Sequence, residues 1–316
     1  MSDTKTDRSV TIITWHYVRD GAPADLHARS VKEFEHQLEH IAMHFVPVTL
    51  DAVVAATQDD NATLPARACL LTFDDGYRDH YEIVFPRLVD RDWQGVFFPV
   101  ARAARDHEVL DVNKIQFSIA ASGLETISNE TRTAIDDARA DHDLPDSQTL
   151  YRELAVAGLH NPPEAMFVKR ALQTRLPEAL RARICSELFS RHVSSDEQDF
   201  AKQLYANVDE LRDMHAGGMA LGGHGERHNR MNELDPDSRD REFQGSREFL
   251  DSLGLPTGDG WSFCYPYGAF DDAAISAAQQ AGCTTAFTLE PRIADLTRDT
   301  PLALPRIDTN DLPVTS

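Results

Sequence analysis

The chain has 316 residues, of which 31 are basic and 52 acidic, so its formal net charge is −21. This charge argues against nucleic acids and anionic membrane surfaces as partners, because both require clustered positive charge. The length suffices for one large domain or two modest ones. No run of about 18 apolar residues occurs, so the sequence predicts no membrane span.

The N-terminal stretch and the cysteines predict a compartment. Residues Met1 to Arg8 are polar or charged, and no apolar segment of the kind found in secretory signals follows them. The four cysteines have no CxxC spacing and imply no disulfide framework, which suits a reducing compartment. We therefore predict a cytoplasmic protein, and a leader that has been removed is the open alternative.

The first third of the chain alternates predicted strands with predicted helices. Val10–Trp15 is predicted to be a strand, and Ser30 caps a predicted helix over Val31–His44. Ala68–Phe73 and Gly95–Val100 are the next apolar runs of strand length. Strands that alternate with helices in this way predict a parallel sheet or barrel with the helices outside.

Two adjacent carboxylates, Asp74 and Asp75, end the predicted strand Ala68–Phe73, and Gly76 follows them. Because side chains alternate along a strand, the two carboxylates should face different targets. Metal-assisted hydrolysis needs two such roles, since one carboxylate binds the ion and the other takes a proton from water. Taken alone, however, an Asp-Asp-Gly sequence is more often a polar turn.

The strand pattern is lost after about residue 103, and amphipathic helical segments dominate up to residue 214. The predicted helices are Leu124–Ala140, Gln148–Ala157, Pro163–Thr174, Pro177–His192 and Asp196–Met214. We interpret residues 103–215 as a helical insertion into a barrel domain formed by residues 9–102 and 216–312. The insertion is either a lid or binding surface, or a module through which the protein forms a homo-oligomer.

Beyond this region, Met219–Gly223 resumes the strand pattern and leads into a pair of histidines, His224 and His228. Two histidines four residues apart can converge on one ion if the segment is helical or tightly turned. One aspartate and two histidines leave a coordination position open for water, as catalytic sites do. The alternative for the pair alone is two solvated histidines.

The C-terminal part returns to alternating elements. The predicted helices and strands there are Pro236–Leu253, Trp261–Cys264, Asp271–Ala281 and Cys283–Thr288. A Tyr-Pro-Tyr-Gly turn over residues 265–268 follows the predicted strand Trp261–Cys264. The readable pattern ends with a Leu-Pro-Arg segment that contains Arg306.

Three motifs in this order resemble the polysaccharide deacetylase family, the NodB-homology group related to carbohydrate esterase family 4. They are Thr72-Phe-Asp-Asp-Gly76, His224-x3-His228 and Phe263-Cys-Tyr-Pro-Tyr-Gly268. The resemblance covers most of the chain apart from the insertion. It implies a distorted (β/α)7-type barrel with a helical insertion between the first two motifs.

The resemblance also implies a role for each motif residue. Asp75, His224 and His228 would bind a divalent metal, and Asp74 would be the general base. The backbone N–H of Tyr267 would stabilise the oxyanion. Zinc suits this ligand set, and cobalt, nickel, manganese or iron(II) could also occupy it.

Two departures from the family pattern lead to further predictions. The motif arginine that orients the base is replaced by Cys264, and we predict that Arg306 substitutes for it, with a structural salt bridge as the alternative. The usual C-terminal histidine motif is absent. His16, at the end of the first strand, is therefore predicted to be the acid that protonates the leaving amine, against a histidine that only packs behind the site.

These observations predict a metal-dependent hydrolase that removes an N-acetyl or similar N-acyl group from an amino sugar in a glycan or glycan precursor. One alternative is an amidase that acts on a small non-sugar substrate. The other is an inactive, metal-containing glycan-binding protein, which Cys264 and the missing histidine motif suggest. Release of acetate from N-acetyl sugars by the metal-loaded protein would separate the three.

Overall fold

The computed structural model describes residues 8–23, 26–59, 61–158, 161–255 and 257–312. These residues form two compact units. The first, which we call the barrel unit, comprises the described residues of Met1–Gly21, Ala28–His107 and Lys202–Ser316. The second, the helical unit, comprises those of Ala22–His27 and Glu108–Ala201.

The strands of the described residues all belong to the barrel unit. They are β1 (Ser9–Trp15), β2 (Val46–Pro47), β3 (Ala68–Asp75), β4 (Gly95–Pro99), β5 (Ala220–Leu221), β6 (Trp261–Cys264), β7 (Cys283–Phe287), β8 (Ala294–Asp295) and β9 (Ile307–Asp308).

The helices are distributed over both units. They are α1 (Val31–His44), α2 (Leu50–Gln58), α3 (Phe85–Val89), α4 (Ala101–Asp106), α5 (Asp111–Ser122), α6 (Leu124–His142), α7 (Ser147–Leu154), α8 (Pro163–Arg170), α9 (Glu178–His192), α10 (Glu197–Leu204), α11 (Val208–Ala216), α12 (Pro236–Ser252) and α13 (Asp272–Gln280). None of those described is both long and apolar enough to span a bilayer.

Parallel pairing connects most of the strands into an incompletely closed ring, and β8 pairs with β1 antiparallel. β1 pairs with β3, β3 with β4, and β4 with β5, while β1 also pairs with β9 and β6 with β7. Single parallel bridges join these groups, one between Gly223 and Phe263 of β6 and one between Phe287 of β7 and Leu304. The predicted α/β barrel is thus confirmed. It is distorted, because at two places neighbouring segments are joined by a single bridge instead of a regular ladder.

Alternation along the strands divides the apolar side chains of the barrel unit into two layers. Leu70 of β3 packs with Phe98 of β4 and Phe287 of β7 in a cluster that draws on strands from around the ring. The neighbouring Phe73 instead stacks on Phe97, at 4.7 Å between ring centroids, and belongs to the layer under the outer helices. Even-numbered side chains of β3 therefore face the barrel interior.

The helical unit has a core of its own. Isoleucine, leucine and phenylalanine side chains of α5, α6, α8 and α9 form a separate buried cluster. A polar contact links three of these helices: His192, the last residue of α9, lies 2.8 Å from the hydroxyl of Ser122 in α5 and 3.0 Å from the carboxylate of Glu130 in α6. The segment is helical, as its amphipathic pattern predicted.

One helix prediction in this region is wrong. Asp196–Met214 is not continuous but forms α10 and α11, because Asn207 interrupts it in an extended conformation and caps α11 through bonds from two backbone N–H groups. α11 contributes Leu211 and Met214 to the barrel-unit core. The helical unit ends at Ala201, within α10.

Candidate active site

The site lies where β3 ends. Asp74 is an even-numbered residue of β3, so its side chain points into the barrel. It lies at the carboxyl end of the strands, which is where the functional side chains of barrel enzymes are found. The next residue, Asp75, has a φ of +69°, which turns the backbone. Its carboxylate therefore faces His224 and His228 instead of the barrel interior. Gly76 repeats this φ, and a Cβ at that position would lie 2.8 Å from the Cβ of Pro99, so only glycine fits.

Arg306 binds the carboxylate of Asp74 through both of its terminal nitrogens. Nη1 donates to Oδ1 at 2.8 Å and Nη2 to Oδ2 at 2.7 Å, and both side chains are buried. The remaining N–H groups of Arg306 bond Thr288 O at 2.8 Å, Thr72 Oγ1 at 3.1 Å and Cys264 Sγ at 3.0 Å. All five donors of the guanidinium are thus engaged, so its orientation is fixed.

Two further groups approach Oδ2 of Asp74. The thiol of Cys264 donates to it at 3.4 Å, and Nε2 of His16 lies 3.9 Å away. The His16 side chain is about one-third exposed, whereas Asp74 is buried. We call Asp74, Arg306, Cys264 and His16 the base side of the site.

The protonation state of Asp74 follows from this environment. Burial alone would raise the pKa of Asp74, but the charge and hydrogen bonds of Arg306 outweigh burial and hold that pKa below its usual range. The carboxylate is therefore an anion, able to accept a proton but not to donate one.

On the other side of the strand end, Asp75 faces the two predicted histidine ligands. Its Oδ1 lies 3.4 Å from Nε2 of His224 and 3.3 Å from Nε2 of His228. Burial would raise the pKa of Asp75, but the two imidazoles hold it well below its usual range. We call Asp75, His224, His228 and Tyr77 the ligand side.

Two ligand-side residues, His224 and Asp75, have their other polar side-chain atom occupied. Nδ1 of His224 donates to the carbonyl of Cys264 at 2.8 Å, which leaves Nε2 as the ring nitrogen that faces Asp75. Oδ2 of Asp75 accepts from the hydroxyl of Tyr77 at 2.7 Å. Oδ1 of Asp75, in contrast, is buried and has no hydrogen-bond partner among the described residues.

These features fit a divalent cation. Ligand atoms that each lie about 2.1 Å from a tetrahedral ion are about 3.4 Å apart, which agrees with both distances from Oδ1 of Asp75. The unpartnered Oδ1 needs a positive partner, and the two imidazoles complete a ligand set that zinc accepts. Asp74, His224 and Cys264 also converge, but the Arg306 guanidinium already fills the cation position there.

Tyr267 borders the ligand side. It lies in the turn after β6 with a φ of +59°, and its ring is 4.6 Å from that of His228. Arg230 covers the Tyr267 ring at 4.8 Å. Asp75, His228 and Tyr267 thus all adopt left-handed backbone conformations, which are costly for residues with a Cβ and recur at functional sites.

Two residues behind the site, Tyr77 and His80, were not predicted from the sequence to belong to it. Tyr77 orients Asp75, and its ring is stacked between Tyr17 at 4.0 Å and Tyr205 at 5.9 Å. His80 is buried and donates from Nε2 to the backbone carbonyl of His16 at 2.7 Å. Burial lowers the pKa of His80 to about 4, so this imidazole is neutral. The proximity of both residues to the Asp-Asp-Gly sequence was the one available signal.

Comparison with protein families matches this chain to the description "Polysaccharide deacetylase" over residues 61–166 and 192–286, well over half of its length. Among curated proteins, the Poly-beta-1,6-N-acetyl-D-glucosamine N-deacetylase of Escherichia coli (strain K12) is 36% identical over 91 residues. The matched segment is 28% of this chain and 13% of that relative.

Solved structures share the fold at low sequence identity. The Streptococcus pyogenes deacetylase PplD in complex with acetate aligns with a TM-score of 0.58 and 14% identity, over 95% of this chain and 92% of that one. IcaB from Ammonifex degensii aligns with a TM-score of 0.54 and 16% identity, over 95% and 91%. The BpsB deacetylase domain from Bordetella bronchiseptica gives 0.55 and 15%, over 95% of each chain.

Proposed function

Since the chain belongs to the polysaccharide deacetylase family, we propose that it is a metal-dependent hydrolase that removes N-acetyl groups from an amino sugar within a glycan or glycan precursor. The observation that carries this proposal is the pairing of two unlike carboxylates at one strand end. Asp75 has a buried oxygen without a partner that faces two histidines, whereas Asp74 is held by Arg306.

We propose that Asp75, His224 and His228 hold the cation, and that it is zinc or another divalent ion such as cobalt, nickel, manganese or iron(II). When bound, such a cation lowers the pKa of a water molecule towards neutrality and polarises an amide carbonyl. The bond from His224 to the carbonyl of Cys264 and the bond from the Tyr77 hydroxyl to Asp75 fix the orientation of these two ligands independently of the ion.

Asp74 acts as the general base in this proposal. Its depressed pKa keeps it ionised, and the bidentate contact with Arg306 fixes the direction of both oxygens. A weakly basic carboxylate is sufficient because the water that it deprotonates is itself made acidic at the site. Arg306 thus takes the place of the family arginine that is missing at Cys264, which weakens the case for an inactive binding protein.

His16 and Tyr267 complete the proposed mechanism. His16 is partly exposed next to Asp74, so it can reach both solvent and the leaving amine, to which it gives a proton. The backbone N–H of Tyr267, in its left-handed turn beside His228, stabilises the oxyanion that forms at the attacked carbonyl. The products are acetate and a free amino sugar.

Acetate release tests this function. The zinc-loaded protein would be incubated with poly-β-1,6-N-acetyl-D-glucosamine, chitin oligomers, nucleotide-linked N-acetyl sugars and N-formyl sugars, and acetate or formate would be assayed. We expect release from at least one sugar substrate, and none after treatment with a chelator. Turnover of simple acyl amides without turnover of any sugar would favour the small-substrate amidase instead.

His16→Ala gives an internal check on the mechanism. It removes the proposed acid without touching the metal ligands, so we expect turnover to fall by roughly 100-fold or more with metal content unchanged. His142→Ala, a change of an exposed histidine at the end of α6, should leave the rate intact. An unchanged rate in His16→Ala would remove the acid assignment but not the deacetylase proposal.

A further inference from the structure

Glu242 of α12 is a buried carboxylate that the proposed reaction does not use; only 3% of it is exposed. Its partners are neutral amides. Oε2 accepts from the backbone N–H of Arg227 at 3.0 Å, and Oε1 accepts from the side-chain amide of Asn229 at 3.0 Å. The backbone N–H groups of Glu226 and Asn229 also face this carboxylate. Several donors of one short segment thus converge on a single buried carboxyl group.

That segment is the loop of residues 225–229, which we call the histidine loop because it contains His228. It closes tightly around the carboxylate. Gly225 has a φ of +85°, and a Cβ there would lie 2.6 Å from Oε2 of Glu242. No residue with a side chain fits this position without displacing Glu242.

The carbonyl groups of the same loop face the opposite way. The first N–H groups of α4, those of Ala101 and Arg102, donate to the carbonyls of Gly225 and Glu226 at 3.2 and 3.1 Å. The loop is therefore held from two sides, by the carboxylate of Glu242 on its N–H side and by α4 on its carbonyl side. Both contacts use the backbone of the loop, so they define its path independently of most of its side chains.

The backbone path of the histidine loop is important because His228 has an unfavourable backbone conformation. Its φ is +66°, which brings Nε2 to 3.3 Å from Oδ1 of Asp75. A residue with a Cβ persists in the left-handed region only when its surroundings over-determine the backbone. The contacts with Glu242 flank His228 on both sides in sequence, at Arg227 and at Asn229.

We propose that Glu242 is a positioning residue for the metal site: it holds the histidine loop in the conformation in which His228 faces Asp75, and so raises the affinity of the site for its cation. The inference rests on the proposed function in that it takes a divalent cation as the ligand. Glu242 touches neither the cation position nor substrate, and it acts through backbone N–H groups of the histidine loop and the side-chain amide of Asn229.

The test compares Glu242→Gln with Glu248→Gln. Both changes are on α12, but Glu248 is exposed and, within the described part of the chain, bonds Gln244 alone. Zinc affinity would be measured by competition with a chromophoric chelator, and ligand geometry by the absorption spectrum of bound cobalt(II). An amide cannot accept from all the N–H groups that converge on Glu242, so we expect zinc affinity to fall about 10- to 100-fold in Glu242→Gln, with an altered cobalt spectrum. Glu248→Gln should match the wild type.

A purely structural role would give a different pattern. It would lower the unfolding temperature of the metal-free protein but leave zinc affinity and the cobalt spectrum unchanged, and this result would overturn the proposal. If Glu242→Gln does not fold, Asn229→Ala decides, because it removes only the bond to Oε1 and should weaken zinc binding in the same direction to a smaller extent. Unchanged zinc affinity in Asn229→Ala would then overturn it.

The wild-type titration separates this inference from the proposed function. A wild-type protein that binds no zinc or cobalt would contradict the metal-dependent function itself. A wild-type protein that binds zinc tightly, together with a Glu242→Gln variant that binds it equally well, would overturn the role of Glu242 alone.

Discussion

The base side and the ligand side of the site differ in how many of their buried polar atoms have hydrogen-bond partners within the protein. On the base side, every N–H of Arg306 has an acceptor and both oxygens of Asp74 have donors. On the ligand side, Oδ1 of Asp75 is buried and unpartnered among the described residues. Of two neighbouring carboxylates of one strand, one thus has donors at both oxygens and the other has a buried oxygen without a donor.

This difference indicates where an external cation belongs. A buried anion with a complete set of donors is stable without help, whereas a buried oxygen that faces two imidazoles is not. The ligand side also contains the left-handed backbones of Asp75 and His228. We infer that the protein fixes the proton acceptor with its own guanidinium and leaves the other carboxylate for the metal.

The largest expected effects come from exchanging the two carboxylates for amides one at a time. Asp74→Asn should lower kcat by roughly 10²- to 10⁴-fold with metal content unchanged, because only the proton acceptor is lost. Asp75→Asn should lower metal affinity by more than the roughly 10- to 100-fold that an outer partner contributes. Metal analysis and acetate release measured on both variants would check this; loss of metal in Asp74→Asn would contradict the division between the two sides.

Arg306→Met should have the next largest effect. It leaves Asp74 buried without a counter-ion, which we expect to lower the free energy of unfolding by about 3–5 kcal/mol. The pKa of Asp74 should rise because the charge that depressed it is gone, so the acid limb of the pH–rate profile should move to higher pH. Denaturant unfolding and a pH–rate profile measure the two effects.

An exposed pair provides the control for Arg306. Arg292 binds Asp299 through two bonds of 2.8 Å, a similar geometry at the surface. Arg292→Met should cost about 1 kcal/mol or less, because solvent screens exposed ion pairs. Equal destabilisation by the two changes would show that burial of the base side contributes little.

Tyr77→Phe tests the ligand side with a smaller expected effect than Asp75→Asn. It removes the hydroxyl that occupies Oδ2 of Asp75, so we expect zinc affinity to fall about 10- to 100-fold. Tyr265→Phe is the matched control, since Tyr265 is equally buried but its hydroxyl bonds the carbonyl of Leu302. Equal losses of zinc affinity in both variants would mean that the contact with Asp75 has no special role.

The smallest effect is a pH dependence of stability behind the base side. The native pKa of His80 is about 4 against an ordinary 6.5. Between these values the unfolded chain binds a proton that the native chain does not, so stability falls as the pH falls. We expect His80 to contribute about 1–2 kcal/mol of the loss between pH 8 and pH 5.

His80→Phe should remove this part of the pH dependence in metal-free protein. The unfolding free energies of wild type and variant, measured with denaturant at both pH values, give the contribution by subtraction. Burial also lowers the pKa of His228, so the variant should retain some dependence over the same range. Identical pH dependence in the two proteins would contradict a neutral, buried His80.

Local patterns in the sequence were sufficient for much of the fold and for the convergence of the motifs. Ser30 and Glu33 form the reciprocal cap of α1, and buried Phe34 and Leu38 lie on its predicted face. Sequence reasoning was weaker where one residue interrupts a regular pattern, as Asn207 does between α10 and α11. The roles of the site residues, the compartment and the purpose of the helical unit stay predictions.

The sequence by itself determined which residue types stand at the strand ends, because hydrophobic period, turn residues and motif spacing are all local properties. It therefore predicted that Asp75, His224 and His228 meet. Only the tertiary structure showed that the guanidinium of Arg306 contacts both oxygens of Asp74, and that the carboxylate of Glu242 fills the histidine loop. Those contacts join residues of different segments, and some of them end on backbone N–H or C=O groups, which no sequence pattern distinguishes.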